Sequence, residues 1–151
     1  MDGIRSGTIN VPGAVAFAKT LRLAVESVEE NLKKTQALFD YTVAELGKIN
    51  GVVVNSVEEV QSPYIINFAA TPIKGETLVH AFEEHEIYIS AKSACSSKSS
   101  EASRILLSLG ICEEVALESV RVSFSYQSTM EEAARFIEAL KTILEQLRHK
   151  N

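Results

Sequence analysis

The sequence is short of cysteine, of basic charge and of long apolar runs, and each shortage closes off a class of function. Only two cysteines occur, Cys95 and Cys112, and neither stands in a CxxC or other metal-ligand spacing. That pattern points away from a disulfide framework or a metal site and toward a reducing cytoplasm. The formal net charge is −5 with no long basic run, which argues against nucleic acid or an anionic membrane as the main partner. No apolar stretch reaches the roughly 18 residues of a membrane span, and no signal-peptide pattern is present. Gly-rich phosphate loops, GxSxG elbows and paired carboxylates in apolar settings are also missing, so hydrolase and kinase chemistry have little support. What remains is 151 residues, 46% of them hydrophobic, enough for one soluble domain with a real core.

Apolar or small residues recur at three-and-four spacing from Ala14 through Ala18, Leu21, Val25, Val28, Leu32, Leu38, Phe39, Val43, Leu46 and Ile49. This predicts one long amphipathic helix, or two breaking near Asn31, with Pro12 suited to its first turn and Gly51 to its stop. At about 1.5 Å per residue such a helix is on the order of 50 Å long, more than a domain of this size needs. Part of it is therefore expected to pack on another domain or subunit. Strands are predicted at Val52–Val54, Tyr64–Ala69 and Ile87–Ile89, with a helix from Gly75 to His85 between the last two. A helix capped by Ser100 should turn Ala102, Ile105, Leu106 and Leu109 inward and stop at Gly110. A short helix from Glu113 to Glu118 follows. Val120 to Tyr126 then alternates, placing Val120, Val122, Phe124 and Tyr126 on one face and Arg121, Ser123 and Ser125 on the other. Thr129–Glu132 has capping-box form and opens a last helix with Met130, Ala133, Ala134, Ile137, Leu140, Leu144 and Leu147 inward. The fold class expected is a two-layer α/β sandwich, a small mixed or antiparallel sheet covered by helices.

One stretch is composed for reactivity. Ile89 to Ser100 sets Cys95 among serines with Lys92 and Lys98 nearby. Small hydroxyl residues favour turns over helix interiors, and nearby cations favour the thiolate, which is the nucleophilic form. Composition alone leaves two readings open, a reactive loop or a serine-rich linker carrying an inert cysteine. Cys112, at a helix start amid apolar residues, reads as structural. His80 and His85 are five apart, which is not the i, i+4 spacing of a helical zinc pair, and His149 lies in a charged tail. Arg121 shares a polar strand face with serines and is a candidate ligand anchor.

These residues carry a family resemblance. Tyr88-Ile89-Ser90, Ser93-Ala94-Cys95-Ser96-Ser97, then Glu101, Ser103, Leu106 and Gly110, then Ser119-Val120-Arg121-Val122-Ser123 resemble the C-terminal part of NifS/IscS-type cysteine desulfurases, in the class-V aminotransferase superfamily. Arg5-Ser6-Gly7-Thr8 with Asn10-Val11-Pro12-Gly13 resembles the segment that leaves the large cofactor domain and enters the small one. The resemblance implies an interdomain segment over 1–12 and the small domain of a fold-type I pyridoxal-phosphate enzyme over 13–151, with the large domain absent. It implies that Cys95 is the loop nucleophile that takes sulfur from L-cysteine as a persulfide while alanine leaves. Arg121 corresponds to the clamp on the substrate carboxylate, and Thr8 to the residue that reaches the cofactor phosphate of the other subunit in a homodimer. A sulfur-acceptor protein would be the partner, in iron–sulfur cluster assembly or transfer-RNA thiolation.

The sequence also departs from that pattern. Lys92 and Lys98 stand where glycines are usual, Ala102 where a proline is common, and Phe124-Ser125-Tyr126 where a Leu-Gly-Arg-like run is typical. The family's pyridoxal-binding lysine, in its Ser/His/Lys context, occurs nowhere among the nine lysines. The chain is therefore expected to bind no cofactor and to be inactive by itself. Two alternatives stay open: a stand-alone sulfur carrier or interaction module, and a ligand-sensing α/β regulatory domain.

Overall fold

A computed structural model describes residues 8–56, 62–91 and 102–148. Helix α1 (Val11–Leu46) is continuous. The Asn10 side chain accepts from the Gly13 amide at 3.1 Å, capping its first turn beside Pro12. It does not break at Asn31, whose side chain stays on the helix and donates to Ser27 Oγ. Strand β1 (Val52–Val54) follows a turn through Gly51, which has φ of +75°. Strand β2 (Ile65–Ala70) and helix α2 (Gly75–Glu83) come next. Helices α3 (Arg104–Ser108) and α4 (Glu113–Glu118) lead into strand β3 (Ser119–Ser123) and helix α5 (Met130–Arg148). The strands form one antiparallel sheet in the order β1-β2-β3, so the sheet is antiparallel rather than mixed.

The core lies on one face of that sheet. Ile66 and Phe68 of β2 and Val120 and Val122 of β3 meet Phe39 and Leu46 of α1, Leu78 and Phe82 of α2, and Phe136, Leu140 and Leu144 of α5. Phe136 stacks on Phe82 at 5.1 Å and meets Phe68 edge-on at 6.0 Å, geometries that add to simple area burial. The capping box is formed, with the Thr129 amide on Glu132 and the Glu132 amide on Thr129 Oγ1. A smaller cluster joins Ala102, Leu106 and Ala116.

Several expectations are corrected. Residues 87–89 form no strand; only Ser90 bridges to Arg121. The chain leaves α2 through Glu86 at φ +58°, and the segment pairs its backbone with β3 at that single point, while Tyr88 is 82% exposed. Helix α3 begins at Arg104, with Ser103 as its cap and no side-chain capping bond; Ser100 lies outside the described residues. Five residues make little more than one turn, too short to carry a continuous buried stripe, so Ile105 and Leu109 face solvent instead of the core. Met130 and Tyr126 are likewise exposed, because β3 ends at Ser123 and alternation lapses in the turn before α5. The inward stripe of α1 holds only from Thr35 onward, and upstream of it Leu21, Val25, Val28 and Leu32 are exposed. No helix among the described residues is long and apolar enough to cross a membrane.

Packing of this kind makes a direct contrast. Leu140→Ala, at a fully buried position, should cost about 2–5 kcal/mol. Ile105→Ala, at an exposed one, should change stability by less than about 0.5 kcal/mol; urea unfolding followed by circular dichroism measures both.

Candidate functional site

The face of the sheet opposite the core is organised around Arg121. In the β2–β3 register Arg121 stands directly opposite Asn67. The Asn67 backbone turns toward β1: its carbonyl accepts from the Asn55 amide at 2.8 Å and its amide donates to Ser56 Oγ at 2.9 Å. The Arg121 backbone turns the other way, its amide donating to the Ser90 carbonyl at 2.6 Å and its carbonyl accepting from the Ser90 amide at 3.1 Å. Asn67 and Arg121 are thus a non-hydrogen-bonded pair, the arrangement that brings two side chains closest on one face. Asn55, Asn67, Arg121 and Ser90 form a polar row across the sheet.

Neighbouring groups hold that row in place. Asn67 Nδ2 donates to the Val120 carbonyl at 3.1 Å, and Asn55 Nδ2 donates to Asn67 Oδ1 at 2.7 Å and Ser119 Oγ at 2.8 Å. Ser119 Oγ in turn donates to the Val115 carbonyl of α4 at 2.6 Å. Arg121 itself is exposed and has no ion pair with any described carboxylate. An uncommitted guanidinium on a rigid strand, flanked by neutral amides, suits bidentate capture of a carboxylate. The described groups with shifted titration lie elsewhere, at the end of α1. There the hydrogen bond between Glu45 and Lys48 holds the carboxyl below its ordinary range and the amine above it.

Gly75 lets α2 approach this site from the core side. A Cβ there would fall 2.6 Å from the Ser119 carbonyl oxygen and 3.3 Å from Ala91 Cβ. Ala91, the residue after Ser90, and Ser119 at the start of β3 both lie close against the first turn of α2.

The expected site residues fare differently. Arg121 sits on the polar face as its alternation implies. Cys95, with Lys92 and Lys98, lies outside the described residues. Thr8 precedes α1, about 40 Å along the helix from Thr35, so the fold does not bring it to Arg121 within one chain. Cys112 is an exposed free thiol at the cap of α4, not a core residue. His80 is exposed and lies 3.1 Å from Glu83, and His85 is half-buried. No group of three His, Cys, Asp or Glu among the described residues could hold a metal ion.

Pyridoxal phosphate needs an amine able to form a Schiff base in a sheltered site. All six described lysines, Lys19, Lys33, Lys34, Lys48, Lys74 and Lys141, are exposed. The described residues therefore offer no sheltered amine for such a cofactor.

Asn55, Asn67 and Ser90 were not legible as site residues. The available signal was an asparagine inside the β-branched run Ile65–Phe68, where asparagine is unfavourable. Only the strand register shows that it faces Arg121.

Comparison with known proteins places the fold and the family. A family profile described as aminotransferase class-V matches residues 2–136. A NifS/IcsS protein homolog from Lactobacillus delbrueckii subsp. bulgaricus is 36% identical over 142 residues, covering 93% of this chain and 37% of that protein. The cysteine desulfurase IscS of Dictyoglomus turgidum is 30% identical over 145 residues, covering 95% of this chain and 37% of its own. Among solved structures, a NifS-like protein superposes with a TM-score of 0.77 at 28% identity, over 97% of this chain and 36% of that one. The chain thus spans somewhat over a third of the length of these relatives.

Two substitutions test the architecture of the row. Gly75→Ala should force Ser119 and Ala91 away from α2 and speed amide hydrogen exchange at Ser90 and Arg121. Asn67→Ala leaves the Asn55 amide and the Val120 carbonyl short of partners and should cost about 1–3 kcal/mol by urea unfolding.

Proposed function

The chain belongs to the class-V aminotransferase family, and on that footing we propose that it is the small domain of a pyridoxal-phosphate-dependent cysteine desulfurase. In this reading residues 1–12 are the interdomain segment and 13–151 the small domain, and a large domain supplies the cofactor. When bound there, pyridoxal phosphate supplies the electron sink that weakens the carbon–sulfur bond of the substrate. This chain supplies the two groups that hold the substrate and remove its sulfur. The Arg121 guanidinium binds the carboxylate of L-cysteine. The Cys95 thiolate takes the sulfur atom as a persulfide, and the remainder, having gained a proton, leaves as alanine. The sulfur then passes to an acceptor protein.

The observation that carries this reading is the two-bond bridge between Arg121 and Ser90. Ser90 is five residues before Cys95, so the Cys95 Cα is tied to within at most about 18 Å of that bridge. Carboxylate clamp and nucleophile share one anchor, which suits a thiol that must meet both a substrate held at Arg121 and a later acceptor. Relatives that carry the desulfurase name support the chemistry. Thr8 would serve the cofactor phosphate of the other subunit in a homodimer, which agrees with its distance along α1 from its own Arg121. A cytoplasmic setting suits a chemistry that depends on a free thiolate.

In this reading the chain by itself is inactive, because the Schiff-base lysine belongs to the large domain. Incubated with L-cysteine and pyridoxal phosphate, it should release neither sulfide nor alanine above the level of a Cys95→Ser variant. Turnover that depends on Cys95 would overturn the view that this is half of an active site.

A further inference from the structure

The hydrogen bonds that join α4 to the polar row run in one direction only, and that direction decides which end of the Asn67 amide faces β3. Ser119 is buried, at 1% exposure, and its Oγ donates its single hydrogen to the Val115 carbonyl. The hydroxyl is left only as an acceptor. The group it accepts from at 2.8 Å is therefore the nitrogen of the Asn55 amide, which spends its other hydrogen on Asn67 Oδ1 at 2.7 Å. With its oxygen held from the β1 side, Asn67 turns its nitrogen to β3, where it donates to the Val120 carbonyl at 3.1 Å. Both ends of this relay are backbone carbonyls, which cannot donate. Reversing it would set the Asn67 oxygen against the Val120 carbonyl and strip the Val115 carbonyl of its hydroxyl, each an unmet polar group.

One hydrogen of the Asn67 side-chain nitrogen is spent on Val120, and no described acceptor takes the other. Asn67 and Arg121 are a non-hydrogen-bonded pair, a geometry that sets Cβ atoms about 4.5–5.5 Å apart on one face. The amide nitrogen and the guanidinium thus serve one neighbourhood. An amide oxygen in the same place would accept from the guanidinium and compete with any anion brought to it.

We propose that Asn67 is a second donor to the carboxylate bound at Arg121, and that Ser119 and Asn55 are positioning residues that keep its amide from inverting. The inference rests on the reading of Arg121 as the clamp for the substrate carboxylate. A carboxylate has acceptors on both oxygens and satisfies guanidinium and amide together. A carboxamide of the same shape brings an amino group against a donor and is refused.

The test uses the 151-residue chain and needs neither cofactor nor turnover. Sodium acetate is titrated at constant ionic strength, with acetamide as its uncharged match, while the Arg121 Nε–H and Asn67 Nδ2 hydrogens are followed by heteronuclear NMR. Both signals should move on one saturation curve with acetate, and neither with acetamide. Asn67→Ala should weaken acetate about tenfold, the worth of one hydrogen bond to a charged group. Ser119→Ala, which frees the Asn55 amide to turn, should weaken it severalfold with the circular dichroism spectrum unchanged. Asn55→Asp, almost the same shape, offers Asn67 an acceptor and should invert its amide, moving the nuclear Overhauser contacts of the Nδ2 hydrogens from Val120 and Arg121 to β1. A shift at Arg121 with none at Asn67, or an Asn67→Ala chain that binds acetate as tightly as the parent, would overturn the role of Asn67 and leave the clamp standing. Contacts to β3 that persist in Asn55→Asp would overturn the positioning role. No shift at either residue would overturn the clamp and this inference with it.

Discussion

A slip of one residue between β2 and β3 would turn Arg121 into the core and Val120 and Val122 out to water, and the rest of the structure depends on that slip not occurring. Strand side chains alternate with period two, so register is strongly specified wherever one face is buried. Here Ile66, Phe68, Val120 and Val122 are buried beneath Phe136, Leu140 and Phe82. The polar face adds its own lock, because the Asn67 amide is held both by the Val120 carbonyl and by Asn55. Apolar packing on one side and hydrogen bonding on the other select the same pairing. Arg121 is the residue that this agreement presents.

Presentation of Arg121 also fixes the stem of the segment that carries Cys95. The bridge to Ser90 uses both backbone groups of Arg121, and Gly75 lets α2 come close to both Ala91 and Ser119. Such an arrangement fits a nucleophile required to meet a substrate and then an acceptor. Helix α1 has a comparable division of labour, one half welded to the domain and the other half carrying the same apolar stripe into solvent.

Much of the fold was legible in the sequence because most of its elements are amphipathic and the period reports the buried face. The core stripe of α5, the capping box at Thr129 and the alternation around Arg121 follow from spacing alone. The misses share a physical cause. Ile87–Ile89 has the composition of a strand, but a strand requires a partner edge, and the chain leaving Glu86 pairs with β3 only at Ser90. Ile105, Leu109 and Met130 are apolar residues beside short or ending elements, where period no longer predicts burial. Cys112 looked structural from its apolar neighbours, yet it stands at an exposed cap. The polar row stayed hidden for another reason: Asn55, Asn67, Arg121 and Ser90 are far apart in sequence, and only register sets them side by side. Thr8 and Cys95 were identified through resemblance to cysteine desulfurases, not through spacing.

The central claim, that this chain holds the sulfur-accepting half of a desulfurase site, is most directly tested by following the sulfur atom. The chain would be mixed with a cofactor-bearing large domain from one of its relatives and supplied with labelled L-cysteine, and the peptide containing Cys95 analysed by mass spectrometry. The account predicts a gain of one labelled sulfur on Cys95, reversed by reductant and greatly diminished in Arg121→Ala. Labelled sulfur appearing on Cys112 instead, or none on Cys95 while the large domain binds its substrate, would contradict it.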